Sequence, residues 1–161
     1  MMGKSMARGA FKLLLIAVVG LTLSACDLGV SWNSSDKENA KLIFESLEDA
    51  RRGANAANQL PDGWQGGSEE TQPVIDALDD AIIKGSQVRS SVLTKAHPEL
   101  GSRFRLEYMR SLRDLRDYYQ GEDLDSPEDP RRTLADFTDW FYGNQHEFRW
   151  WRGYRDDVGL R

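Results

Sequence analysis

Apolar positions recur every three or four residues along most of the chain, and no stretch alternates long enough to read as a strand. That period belongs to amphipathic α-helices. The first predicted helix starts at a Ser35 cap and runs to about Asn58, with its stripe on Ala40, Ile43, Phe44, Leu47, Ala50, Ala54 and Ala57. The stripe is bulky early and thin late, so a larger neighbour is expected against its second half. Leu60-Pro61-Asp62-Gly63 ends this helix, and Gly66-Gly67 extends the loop.

The second helix opens near Thr71, with Pro73 in the first turn, where a missing N–H costs nothing. Val74, Ile75, Leu78, Ala81, Ile82, Val88, Val92, Leu93 and Ala96 keep one phase, so a single helix is expected as far as His97-Pro98. Gly85 lies inside the stripe and marks a close helix–helix contact; a break at Gly85-Ser86 is the alternative. The third helix spans about Pro98 to Tyr119 and buries Phe104, Tyr108, Leu112, Leu115 and Tyr119. Its arginines at 103, 105, 110, 113 and 116 are interleaved with Glu107, Asp114 and Asp117, which describes a salt-bridged solvent face better than a phosphate patch. Asp129-Pro130 caps the fourth helix, whose stripe is Leu134, Phe137, Phe141, Phe148 and Trp151 with Asn144 and Gln145 inside it. Four helices on short loops predict an all-α, four-helix up-down bundle-like domain over residues 36–161. An even number of passes returns the C-terminus to the end where the chain enters.

The start of the chain has a different pattern. Lys4 and Arg8 precede, and Lys12 stands at the start of, an apolar run from Phe11 to Leu23, which leads into Leu23-Ser24-Ala25-Cys26. Basic residues, a short apolar segment and small residues make an export signal, and the run is short of the about 20 residues a bilayer span needs. The last four residues resemble the lipobox of bacterial lipoproteins. That resemblance implies cleavage between Ala25 and Cys26, a diacylglyceryl thioether on Cys26, and usually acylation of the new amino terminus. Residues 1–25 are then a cleaved signal peptide and 26–35 a lipidated tether. Two or more acyl chains hold a protein firmly on a membrane. Asp27, in the position after the cysteine, resembles the inner-membrane retention signal of enterobacterial lipoproteins; the outer membrane is the alternative. The tether of Asp27 to Ser35 reaches at most about 30 Å, so the domain stays near the headgroups.

Removal of the leader takes away three of the 21 Lys+Arg and none of the 26 Asp+Glu, leaving 18 against 26, or −8. That sign argues against a general nucleic-acid role. The one cysteine is used by the lipobox, so the domain has no disulfide. Neither histidine has a second histidine or a cysteine at ligand spacing; after His146-Glu147 a zinc-protease pattern would need a histidine where Trp150 stands. The acidic loop from Gly121 to Asp129 is similar to a calcium loop but has Pro127 and Glu128 where that pattern needs a ligand and a glycine. With no nucleophile elbow, phosphate loop or dinucleotide fingerprint, the expectation is a protein that is not an enzyme and has no cofactor and no metal.

The unusual composition lies near the C-terminus, with eight aromatics between Phe137 and Tyr154. On a continuous fourth helix Trp150 points away from the stripe, between Arg149 and Arg152, which suits a headgroup region or a protein contact. Arg149, Trp150 and Arg152 are therefore the candidate docking residues, and the opposite, acidic pole would face the periplasm. The expected function is that of a membrane-anchored envelope lipoprotein, a non-enzymatic interaction, assembly or regulatory module with a protein partner. The alternative is a periplasmic immunity or inhibitor protein that captures a toxin or hydrolase, its acidic pole raising the on-rate to a basic target. A small-ligand carrier, with Gly85 and Asn144-Gln145 framing a cavity, is the third reading, and a tight crossing and a satisfied hydrogen bond are the simpler account of those residues.

Overall fold

The computed structural model describes residues 33–124 and 128–159. Cys26, the leader before it and most of the tether lie outside the described residues. The described residues form one compact, all-helical unit with no strand among them.

Helix α1 (Ser34–Ala57) begins at Asn33 rather than Ser35, because the Asn33 side chain accepts from the Asp36 N–H at 2.9 Å. A loop and one turn of 3-10 helix lead into α2 (Gln72–Gln87), which carries Pro73 in its first turn. The expected single second helix is broken, and at Val88-Arg89 rather than at Gly85-Ser86: Val88 is extended, and α3 (Ser90–Ala96) starts afresh. The break is held from outside its own helix. The buried Asn39 of α1 accepts from the Arg89 N–H at 2.6 Å and donates to the Ser35 carbonyl at 2.7 Å. The third predicted helix is a run of α4 (Leu100–Arg103), a π-helical turn over Phe104–Tyr108 and α5 (Met109–Gln120), closed by Gly121 at φ +86°. Its predicted stripe is buried, and so is Met109.

The pairing registers run in opposite directions. On α1 and α2, Ser46 meets Ala81 and Arg52 meets Asp80. On α2 and α5, Gly85 faces Met109 and Asp79 faces Arg116. On α5 and α6 (Pro130–Asn144), Tyr119 meets Arg131, while Tyr108 of the π turn packs on Phe137 at 5.0 Å. Gly85 is the close crossing the pattern predicts: a Cβ there would run into the Met109 sulfur, with Ser46 Oγ at 3.2 Å.

The fourth predicted helix also ends early. Asn144 closes α6 by donating to the Trp140 carbonyl at 2.7 Å, a 3-10 turn follows over Gln145–Glu147, and Phe148 is extended. Helix α7 (Trp151–Asp157) then lies back on the first half of α1. Tyr154 stacks on Phe44 with 4.2 Å between ring centroids, and Asp157 pairs with Lys37 at 3.0 Å. The C-terminal segment is thereby tied to the start of α1.

An open seam between α1 and α6

Three of the helix seams close: α1 on α2, α2 on α5, and α5 on α6. The fourth closes only in part. Phe44 of α1 meets Phe141 of α6 edge-on at 5.5 Å, and Phe148, Trp150 and Tyr154 complete the packing on that side. Further along, α1 offers only Ala50, Gly53, Ala54 and Ala57, and α6 answers with Leu134, Ala135 and Thr138. These side chains are too small to bridge the gap. A slot of about 550 Å³ remains, reaching past both helices to Val74 and Leu78 of α2 and Leu115 of α5. The larger neighbour expected against the thin half of the α1 stripe comes from α2, whose Leu78 lies against Gly53, and not from α6.

The mouth of the slot is polar and aromatic. Arg51 and Tyr142 stand at one side, and Arg131, Tyr119 and Trp64 at the other. Arg51 is engaged by Glu48 at 2.6 Å. Arg131 lies over the Tyr118 ring at 5.1 Å, with Nη2 3.5 Å from Tyr119 Oη. Tyr142 is 47 % exposed; burial of the rest, then the nearby Glu48 carboxylate, pushes its phenol above the ordinary range, with Arg51 opposing. Trp64 is held by the far loops. Gly66 and Gly121 touch backbone to backbone, the Gly67 N–H donates to the Tyr119 carbonyl at 2.9 Å, and Trp64 packs on Tyr119 at 5.2 Å.

Beneath the slot the core contains polar groups, each with partners. Ser46 Oγ is 2.7 Å from the Ala81 carbonyl and 2.8 Å from Tyr108 Oη, and burial pushes the Tyr108 phenol well above its ordinary range. The buried Asp49 pairs with Lys84 at 2.5 Å and Arg52 at 3.1 Å. That hydrogen bond to Asp49 raises the Lys84 ammonium pKa.

Of the residues singled out in the sequence, Arg149 and Arg152 are exposed, but Trp150 is not. Its ring is 4 % exposed and packs against Phe44, Phe148 and Tyr154. The break after Asn144 changes the helical phase, so Trp150 turns inward and Trp151 becomes the half-buried ring. Trp150 is a core residue and offers no ring to a membrane or a partner. Its Nε1 has no hydrogen-bond partner among the described residues. At Gly85 the Met109 sulfur and Ser46 Oγ fill the space, and Asn144 is bonded to the Trp140 carbonyl, while Gln145 Oε1 is buried without a hydrogen-bond partner among the described residues. On the arginine face of the α4–α5 run, Arg103 pairs with Glu99 and Glu107, Arg110 with Asp114, and Arg116 with Asp117 and Asp79. His97 is half-buried against Trp140 and Phe148, His146 is exposed, and no group of three metal-ligating side chains occurs among the described residues.

The seam was missed as a site in the sequence, although its signal was there: a stripe that dwindles to alanine on one helix, with glycine beside it. No described helix is long and apolar enough to cross a membrane. Compared with protein families, with curated proteins and with solved structures, the chain gives no match.

Proposed function

We infer that this chain is an envelope lipoprotein, held on the membrane by acyl groups on Cys26, whose helical domain is a non-enzymatic binding module. Its frame is a four-helix up-down bundle, α1, α2, the α4–α5 run and α6, a reading supported by the opposed registers of successive helices. The observation that carries the function is the seam. A bundle that closes three of its interfaces and leaves a slot to its interior at the fourth has a place for something besides itself. Asp27 favours the inner membrane. The tie of Asp157 to Lys37 supports a membrane-side position for the exposed Arg149 and Arg152, which would meet the headgroups without Trp150.

Two measurements test this reading. Mass spectrometry of the chain purified from membranes should find an amino-terminal Cys26 carrying acyl groups, and an intact leader would end the lipoprotein assignment. A photoreactive residue placed in cells at Ala54 or Ala135, on the seam, should form crosslinked products that are absent from position 83, on the outer face of α2. Equal products at all three positions would remove the seam as the contact site.

The inhibitor or immunity reading is favoured by a different surface. Asp62, Glu69, Glu70, Glu122 and Asp123 are all exposed around the far loops, an acidic face suited to a basic target. A crosslinker at Glu122 that captures a soluble partner, with none captured from the seam, would decide for it.

A further inference from the structure

Resting on the seam as the binding site, we propose that the slot takes the hydrocarbon tail of a single-chain anionic amphiphile, whose head is held by Arg131. Size decides first. The slot follows α1 from Leu47 to Asn58, about 16 Å at 1.5 Å per residue. Its volume of about 550 Å³ falls within the roughly 300–1,000 Å³ of small-molecule sites. An elongated slot of that volume can hold one alkyl chain.

The walls agree with that occupant. Ala50, Gly53, Ala54, Leu134 and Ala135 present aliphatic surface, and the floor is formed by Val74, Leu78 and Leu115, which are 1, 2 and 5 % exposed. Burying hydrocarbon there gains free energy in proportion to its area. A polar ligand would find few partners along most of the length. The mouth supplies the charge. Arg51 is engaged by Glu48, whereas Arg131 rests on aromatic faces and presents its guanidinium to an anionic head.

The slot begins at Leu47, about 21 Å along α1 from Asn33, at the end away from the tether. A monomeric amphiphile such as a long-chain fatty acid reaches such a slot without the bilayer having to contact it.

The test uses the full chain in phosphatidylcholine nanodiscs and a diazirine-bearing palmitic acid, with adducts mapped after irradiation. Adducts are expected in peptides covering residues 47–58 and 131–142. Ala54→Trp, at an exposed wall position, should cut them at least about tenfold while the helical circular dichroism is unchanged. Arg131→Ala should cut labelling by the acid roughly tenfold and leave labelling by its methyl ester unaltered. Adducts confined to residues 1–33, or insensitive to Ala54→Trp, would overturn the proposal, as would equal behaviour of acid and ester in the Arg131 variant. If protein crosslinks from position 54 persist while the fatty acid fails to label, the seam stands as a partner site and the amphiphile is refuted. Failure of both removes the seam.

Discussion

Ser46 has one hydroxyl hydrogen and two oxygen neighbours, the Ala81 carbonyl at 2.7 Å and Tyr108 Oη at 2.8 Å. The carbonyl can only accept, so Ser46 donates to it and Tyr108 must donate to Ser46. This direction makes the two partners unequal. Tyr108→Phe removes one hydrogen bond and strands nothing, for a loss of about 1 kcal/mol. Ser46→Ala removes both bonds and leaves a fully buried phenol hydroxyl without its acceptor, for a loss of about 2–3 kcal/mol. With both substitutions no hydroxyl is stranded, so the double variant should fall short of the summed losses by about 1 kcal/mol. Urea unfolding followed by circular dichroism reads these differences; with a slope of about 2 kcal/mol per molar, 1 kcal/mol moves the midpoint about 0.5 M. Equal losses for the two single variants, or strictly additive losses in the double, would refute the assigned direction.

Trp150→Ala should destabilise the domain by about 3–5 kcal/mol, as loss of a buried ring does, whereas a docking ring on the surface would leave the melting temperature unchanged. Gly66→Ala would drive a methyl group into the Gly121 backbone, which cannot turn aside; a loss of about 1–3 kcal/mol and a blue- or red-shifted Trp64 emission are expected by denaturation and fluorescence. Lys84 has its pKa raised above the ordinary 10.5 by Asp49, so its contribution is complete below that value and is lost as pH rises through the higher folded-state pKa. Alkaline unfolding of the native chain against Lys84→Met should show the two curves converging above pH 10.5, and a constant gap would contradict the pairing.

The helical class was legible because it rests on period alone, and the early α1 stripe and the α5 stripe were legible because their large side chains have nowhere to go but inward. Gly85 was legible as a crossing because the phase of the stripe continued through it. The break at Val88-Arg89 was not, since the acceptor that holds it belongs to Asn39, fifty positions earlier. At Asn144 a polar residue stood inside the stripe, yet its role as a terminator depends on its own bond back to Trp140 and on the extended Phe148 that follows. From that point on, an assumed continuous helix assigns every later side chain to the wrong face, which is how Trp150 and Trp151 exchange places. The slot was half legible. Thinning of the α1 stripe is a local fact, but whether a neighbour moves in to meet it depends on α6, whose own residues there are also small or set back.

The clasp of the last helix on the first has a bearing on how the protein is made. Phe44 is sheltered by Trp151 and Tyr154, residues made more than a hundred positions after it. A nascent chain therefore carries that side of Phe44 uncovered until α7 has been made, and the domain cannot lock from its amino-terminal side before then. A product that stops before Phe148 would keep Phe141 against Phe44 but lose Trp150, Trp151 and Tyr154, and quality-control proteases would meet it as incompletely packed.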